Sequence, residues 1–208
     1  CGNDVASERA MVRRFIKHSV KQWVNLYGFD GFRFDLMGIL DIQTMNELAE
    51  ELKESYPNVY LYGEGWKMAT GLDSELLAHQ YNAAELTDYG FFSDNFRDTI
   101  KETILNKQRL TGFEWTSSMA NILTANVGLE TASHFQSPQQ AINYTECHDN
   151  ATVFDYFKME DPNISPKERL ASARLALHLV LLAQGVPFLH SGQEFFRHKD
   201  LLDNSYNI

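Results

Sequence analysis

Short apolar strands alternate with helical segments along this chain, and that alternation limits the fold more than any other feature. Apolar spacing of three and four residues predicts helices near 7–27, 41–56, 74–82, 94–107, 116–127 and 165–185. Strands are predicted at 29–36, 59–63, 141–146 and 186–190, with one more inside 84–93, placed at 84–87. Strands and helices in alternation are typical of parallel βα units.

The number of strands indicates only part of a closed barrel. A complete eight-stranded barrel takes about 250 residues, whereas this chain has 208 residues and four or five predicted strands. It begins at Cys1 without an initiator Met and stops in a polar segment, so both ends are expected to be cut from a longer protein. The sequence therefore predicts an α/β fold. It further predicts that residues 1–208 form one partial (β/α)8 TIM barrel domain, with about the last five βα units present and the first three strands missing.

The composition argues against several classes of partner. The net charge is −10, and no run of Lys or Arg is present. Nucleic acid and anionic membrane surfaces are therefore not expected as partners, and no segment suited to membrane insertion is found. A neutral substrate fits this charge balance. The aromatic fraction of 12% could also supply the flat apolar platforms that sugars bind.

Charged side chains stand where three of the strands end. Arg33 and Asp35 lie two residues apart on one strand and so face the same side. An arginine beside a carboxylate stabilises its ionised form, which a glycosidic nucleophile needs. Glu64 ends the next strand among glycines and aromatic residues, and partial burial there favours the protonated form that a general acid needs. Two carboxyls about 5 Å apart would imply a covalent intermediate and a retaining reaction.

The third strand end carries His148 and Asp149, which add a hydrogen-bond donor and a further carboxylate. Such groups suit the binding of sugar hydroxyls, because their hydrogen bonds can tighten in the transition state. Active sites of barrels lie at the C-terminal ends of the strands. The three strand ends together therefore predict a carboxylate active site at a barrel mouth.

The same segments resemble a known family. Gly31–Gly38, Tyr62–Trp66 and His148–Asn150 are similar to the second, third and fourth signature regions of the α-amylase family, glycoside hydrolase family thirteen. The segment Gly185–Phe195 resembles the family's last barrel strand and the loop after it. Leu-Met-Gly after Asp35 and Gly-Trp after Glu64 most resemble the type I pullulanases of that family, which hydrolyse α-1,6 branch linkages in pullulan, amylopectin and glycogen.

The resemblance implies a barrel of the α-amylase type and a role for each matching residue. Asp35 would be the nucleophile, Glu64 the acid/base and Asp149 the stabiliser of the transition state. The substrate-binding residues implied by the resemblance are Arg33, which would also orient Asp35, together with His148, Trp66, Asn150, Asn204 and Tyr206. An α-glucan polysaccharide or oligosaccharide would be the substrate. No cofactor is expected, and calcium in the parent enzyme is not supported by any ligand pattern in this chain.

Several alternatives stay open at this level. Nothing in the chain matches the family's first signature region, so the isolated fragment is expected to be inactive and to need the missing part of its own barrel as a partner. Within the family, an amylopullulanase or an isoamylase-like debrancher is the alternative. From other classes, the alternatives are a metal-dependent barrel enzyme, with Asp35, Glu64 and Asp149 as Mg²⁺ ligands, or a non-catalytic fragment.

Overall fold

The computed structural model describes residues 4–106, 113–125, 127 and 134–205. The chain separates into two units, one made of Cys1–Phe92 with Ser133–Gln140 and the other of Ser93–Ala132 with Ala141–Ile208. These are called the first and the second unit below. The described elements alternate between strands and helices in both units, as the sequence predicts.

The first unit contains a parallel three-stranded arrangement flanked by two long helices. Its elements are α1 (Ala10–Tyr27), β1 (Gly31–Phe34), α2 (Ile42–Ser55), β2 (Tyr60–Gly63) and β3 (Tyr89–Phe92). Strand β2 pairs in parallel with β1 and with β3. Helix α1 ends at Gly28, whose φ of 65° lies in the left-handed region that glycine adopts readily. Helix α2 begins after Asp41, whose side chain accepts a hydrogen bond from the Thr44 amide.

Two predictions for the middle of the first unit were wrong. The predicted helix at 74–82 is a pair of 3₁₀ segments, Ser74–Leu76 and Gln80–Glu85, and the strand placed at 84–87 lies instead at 89–92. The later position is favoured because Tyr89 and Phe91 are almost fully buried there. The Tyr89 hydroxyl also donates a 2.6 Å hydrogen bond to the Met45 carbonyl of α2, which ties this strand to the helix.

Helix α1 buries less of its apolar face than its pattern predicts. Val20 and Val24 are buried, but Met11 and Phe15 are 74% and 72% exposed. The core of this unit is built instead from α2 and the strands, with Met45, Leu48, Leu52, Leu61 and Phe91 all nearly inaccessible. An apolar stripe therefore remains exposed on the N-terminal half of α1 among the described residues.

Within its described residues, the second unit pairs two short strands and packs four α-helices. Its elements are α3 (Asp94–Leu105), α4 (Phe113–Leu123), β4 (Ala141–Asn143), α5 (Val153–Glu160), α6 (Pro166–Leu182) and β5 (Val186–Pro187). Strands β4 and β5 are parallel, with Ile142 opposite Val186. The core forms between α3, α5 and α6, where Phe96, Ile100, Phe157 and Val180 are buried together.

Local signals explain two of these helices. The predicted start of α6 is confirmed: Ser165 and Glu168 form a reciprocal capping box, with Pro166 in the first turn. Helix α5 is absent from the sequence prediction, although Thr152 caps it by accepting a hydrogen bond from the Asp155 amide. Its eight residues are too few for a clear helical period. Among the described residues, no helix has both the length and the apolar character needed to cross a membrane.

Candidate active site

One arginine holds both carboxyls that end β1 and β2. The two strands run in parallel with Phe34 opposite Gly63, so Asp35 and Glu64 are the next residues on neighbouring strands. Arg33 donates from Nη1 to Asp35 Oδ1 at 2.9 Å and contacts Glu64 Oε1 from Nη2 at 2.7 Å. The Asp35 side chain is 71% exposed, whereas that of Glu64 is 10% exposed. The predicted pair of Arg33 with Asp35 is present. The contact between Arg33 and Glu64 was not predicted.

The residue after Asp35 fixes the second oxygen of Glu64. Leu36 has φ 47° and ψ 40°. This left-handed conformation is energetically unfavourable for a residue with a branched side chain. In that conformation its amide donates to Glu64 Oε2 at 3.1 Å. Both carboxylate oxygens of Glu64 are therefore held, one by the guanidinium and one by the backbone. The strain lies in the turn that orients Glu64.

The glycine in the Leu-Met-Gly segment permits a close approach between two loops. The Gly38 amide donates to the Glu64 carbonyl at 2.9 Å. A Cβ added at Gly38 would lie 2.0 Å from the Trp66 carbonyl oxygen, closer than atoms can approach. Gly38 thus sets the backbone position of Trp66, whose side chain is partly exposed.

In the second unit, His148 and Asp149 lie on a loop that other parts of the chain hold by its backbone. His148 Nε2 lies 3.5 Å from Asp149 Oδ2, and the two side chains are 55% and 42% exposed. Lys199 Nζ donates to the carbonyls of His148 and Asn150, at 2.9 and 2.8 Å. Asn150 has φ 61°, and its amide donates to Asn204 Oδ1 at 2.8 Å. Asn150 and Asn204, predicted to bind substrate, therefore have a clear structural contact with each other.

A buried carboxyl closes the base of this loop. Glu146 is 3% exposed, accepts a hydrogen bond from the Val153 amide at 2.6 Å and lies 3.2 Å from His190 Nδ1. Burial raises the pKa of Glu146 to about 7. Burial, followed by the positive charge of Arg197, lowers the pKa of His190. No role for Glu146 is predicted from the sequence, although it stands two residues before His148.

The second unit also contains an open cavity of about 320 Å³ beside the His148–Asn150 loop. Asn150, Arg97, Lys101 and Tyr156 contribute to its lining. The Lys101 ammonium lies 4.7 Å from the centre of the Tyr156 ring. Burial and the neighbouring Arg97 lower the pKa of Lys101 to about 8. The side chains around this cavity mix both signs of charge with apolar surface.

The predicted site residues are therefore distributed between the units. Arg33, Asp35 and Glu64 meet in the first unit, and Gly38 fixes the loop of Trp66 beside them. His148, Asp149, Asn150 and Asn204 lie together in the second unit. Tyr206 lies outside the described residues. Sequence reasoning missed the contacts of Leu36, Glu146 and Lys199, because none of them follows from local spacing.

The arrangement in the first unit bears on the Mg²⁺ alternative. Arg33 contacts one oxygen of Asp35 and one of Glu64, so its guanidinium stands where a cation shared by the two carboxylates would have to bind. Across the described ranges, no cluster of three or more His, Cys, Asp or Glu side chains has an arrangement that could hold a metal ion. The pairing of these carboxylates thus favours acid–base and nucleophilic chemistry.

Comparison with known proteins gives consistent matches over nearly the whole chain. Residues 2–201 match the family model described as Alpha amylase, catalytic domain. A pullulanase of Bacillus subtilis (strain 168) is 43% identical over 99% of this chain, and the match covers 29% of that protein. The chain thus spans less than a third of the length of this relative.

Solved structures give the same picture. The crystal structure of pullulanase type I from Bacillus subtilis str. 168 complexed with maltose has a TM-score of 0.90 and 42% identity, and the match covers 99% of this chain and 30% of that chain. Pullulanase from Anoxybacillus sp. LM18-11 complexed with maltotriose has a TM-score of 0.89 and 42% identity, covering 99% of this chain and 29% of that one. These matches confirm the predicted fold, part of a (β/α)8 barrel.

Proposed function

Because this chain belongs to the α-amylase catalytic domain family, we propose that it forms part of a glycoside hydrolase that cleaves α-1,6-glucosidic branch linkages in pullulan, amylopectin or glycogen. The observation that carries the proposal is the Arg33 bridge between Asp35 and Glu64 at two neighbouring strand ends. Two pullulanase relatives were crystallised with maltose and with maltotriose, which supports an α-glucan oligosaccharide or polysaccharide as the substrate.

The proposed mechanism is a double displacement with retention of configuration. The exposed Asp35 carboxylate attacks the anomeric carbon, while Glu64 gives its proton to the departing glycosidic oxygen. Glu64 then removes a proton from a water molecule that displaces Asp35 from the sugar and restores the α configuration. Arg33 and the Leu36 amide hold the two carboxyls in place before the reaction, and one of the two contacts on Glu64 opens when that side chain carries its proton.

The remaining site residues keep the roles that the resemblance implies. Asp149 stabilises positive charge on the sugar ring in the transition state, and His148 binds the sugar under attack. Trp66, Asn150, Asn204 and Tyr206 contact the glucan at the edges of the cleft. These assignments rest on the matching signature segments, with the exposure of His148 and Asp149 as support.

We also propose that the catalytic domain needs three barrel strands that residues 1–208 do not supply. The chain spans 29% of the Bacillus subtilis relative, and Met11 and Phe15 of α1 are 74% and 72% exposed. The remaining part of the barrel would cover this apolar stripe. We expect the purified 208-residue chain alone to release no sugar from pullulan; measurable turnover by a homogeneous preparation would contradict this.

Product analysis of the full-length enzyme on pullulan tests the function. Maltotriose as the sole product, formed first as the α anomer in proton NMR, is the expected result. Glucose and maltose would indicate an amylopullulanase, and failure on pullulan with activity on amylopectin would indicate an isoamylase-like enzyme. Complete loss of activity with chelator would favour the metal-dependent alternative.

A trapping experiment tests the role of Asp35 directly. A fluorinated glycosyl donor that forms a slowly hydrolysed intermediate should label the peptide containing Asp35, as read by mass spectrometry. Asp35→Asn should abolish labelling, whereas the nearby exposed Asp30→Asn should retain it. Labelling of any other carboxylate would overturn the assignment.

A further inference from the structure

The loop that carries Asp149 is held by one lysine on both sides of that residue. Lys199 Nζ donates to the carbonyl of His148 at 2.9 Å and to that of Asn150 at 2.8 Å. An ammonium group has three donors and no acceptor, so two of its bonds go to the residues immediately before and after Asp149. The Asp149 carboxylate itself lies 3.5 Å from His148 Nε2. Its placement therefore depends on the backbone around it.

The backbone conformation of Asn150 makes this double contact possible. Asn150 adopts φ 61°, a left-handed geometry that asparagine tolerates better than most residues. The chain bends at this residue, and its amide donates to Asn204 Oδ1 at 2.8 Å. Both carbonyls then face the same ammonium group.

Lys199 is itself anchored at the other end. Its backbone amide donates to Asp155 Oδ2, and Asp155, 1% exposed, is paired with Arg169 Nη2 at 2.9 Å. The Arg169 guanidinium lies 3.7 Å from the centre of the Phe154 ring. A buried ion pair at the start of α5 thus fixes the backbone from which the lysine side chain extends to the loop.

From these contacts we infer that Lys199 is a positioning residue, which holds the His148–Asn150 backbone so that Asp149 presents its carboxylate to the substrate. The inference rests on the proposed function for the role of Asp149, but the holding of the loop can be measured without any activity. Outer partners that orient metal ligands typically change activity by about 10- to 100-fold when they are removed, and we expect an effect of similar size for Lys199.

Hydrogen exchange on the full-length protein tests the holding of the loop. Lys199→Met should raise amide exchange in the peptide spanning residues 145–152 by at least about 5-fold, because local opening becomes easier, while peptides of α6 stay unchanged. Lys167→Met, which removes an exposed lysine from α6, is the matched control and should leave the loop at its original rate. Unchanged exchange in Lys199→Met would overturn the inference.

A second variant separates holding of the loop from general destabilisation. Lys199→Gln keeps a donor on a shorter side chain and should give an intermediate exchange rate in the loop peptide. Circular dichroism of each variant reports whether the rest of the chain keeps its helices. If Lys199→Met loses its fold, the Lys199→Gln result decides: a selective increase at 145–152 supports the inference, and no increase contradicts it.

Kinetics of the full-length enzyme test the link to Asp149. Lys199→Met should lower kcat by about 10- to 100-fold with a smaller change in KM. In an Asp149→Asn background, with an aryl α-maltotrioside as a reactive substrate, Lys199→Met should have less than a 2-fold effect, because the group it positions is gone. Independent, multiplicative effects would overturn the positioning role. An inactive wild-type enzyme would refute the proposed function and leave the exchange result to judge the loop.

Discussion

The two sets of candidate site residues are held in different ways. In the first unit, Arg33 contacts the carboxylates of Asp35 and Glu64 directly, so charged side chains hold one another. In the second unit, Lys199 and Asn204 bind the backbone around Asp149 and leave its side chain 42% exposed. The difference teaches that a carboxylate can be oriented through its own charge or through the peptide that carries it.

The two ways of orienting a carboxylate should respond differently to substitution. A guanidinium that bridges two acids is lost with a single substitution, and both acids lose their partner together. A loop held at several backbone positions should respond by degrees, because each contact restrains only part of it. Substitutions at four positions test this comparison, in order of decreasing expected effect.

Removal of the bridge should have the largest effect. Arg33→Met in the full-length enzyme should lower kcat/KM by about 10²- to 10³-fold, as for the loss of one preorganised charge contact. Arg33→Lys keeps the charge but cannot hold two carboxylates with one planar group, so we expect at least a 10-fold loss. Steady-state kinetics on pullulan are the measurement. Activity of Arg33→Met within 2-fold of wild type would show that the bridge does not matter.

The buried carboxyl below the loop should make stability depend on pH. The pKa of Glu146 is about 7 in the folded chain against its ordinary value of 4.5, so the folded chain retains this proton to higher pH than the unfolded chain. Its stabilising contribution is complete below pH 4.5 and is lost as the pH rises to about 7. The loss is on the order of 3 kcal/mol, from the size of the pKa difference.

Urea unfolding of wild type and Glu146→Gln between pH 4.5 and pH 7 measures the contribution of Glu146 to stability. The free energy of unfolding of wild type, relative to the variant, should decrease between pH 4.5 and pH 7. His190 acts in the opposite direction, since its lowered pKa makes its contribution fall on acidification. Glu54→Gln, at an exposed position of α2, is the control and should not change the pH profile. Parallel curves for wild type and Glu146→Gln would contradict the prediction.

The close approach at Gly38 should be intolerant of a methyl group. A Cβ there would lie 2.0 Å from the Trp66 carbonyl oxygen, so Gly38→Ala should lower the free energy of unfolding by about 1–3 kcal/mol, as overpacking does. Gly71→Ala is the matched control, because nothing lies within 4 Å of its added Cβ. Denaturant unfolding compares the two. Equal stabilities would mean that the Trp66 loop can move at little cost.

Substitution of Asn150, the residue with left-handed backbone in the His148–Asn150 loop, should give the smallest effect. Asn150→Ala should lower the free energy of unfolding by about 1 kcal/mol, because alanine is disfavoured at φ 61°. Asn150→Gly should retain the wild-type stability, since glycine adopts this conformation readily. Thermal unfolding of both variants is the check. Equal losses in the two would place the role of Asn150 in its side chain.

Much of the architecture follows from local sequence patterns. Apolar periodicity located α2, α3 and α6. The predicted helix ends near 27 and 165 are also present, at Gly28 and at the Ser165 capping box. Asp35 and Glu64 were identified because a charge at the end of a short buried strand has few structural uses. The strand in 84–93 was misplaced because its neighbours are also apolar, and only the burial of Tyr89 and Phe91 against α2 selects 89–92.

Sequence by itself determined which residues end the strands and which family their pattern resembles. Strand period and turn chemistry act over a few residues, so they can be read from the chain without its fold. Only the tertiary structure decided the contacts of those residues: the Arg33 bridge to Glu64, the Leu36 amide on the same carboxylate, and the Lys199 contacts on either side of Asp149. Each joins residues 28 to 51 positions apart, and such pairs meet only when parallel strands and their loops have packed.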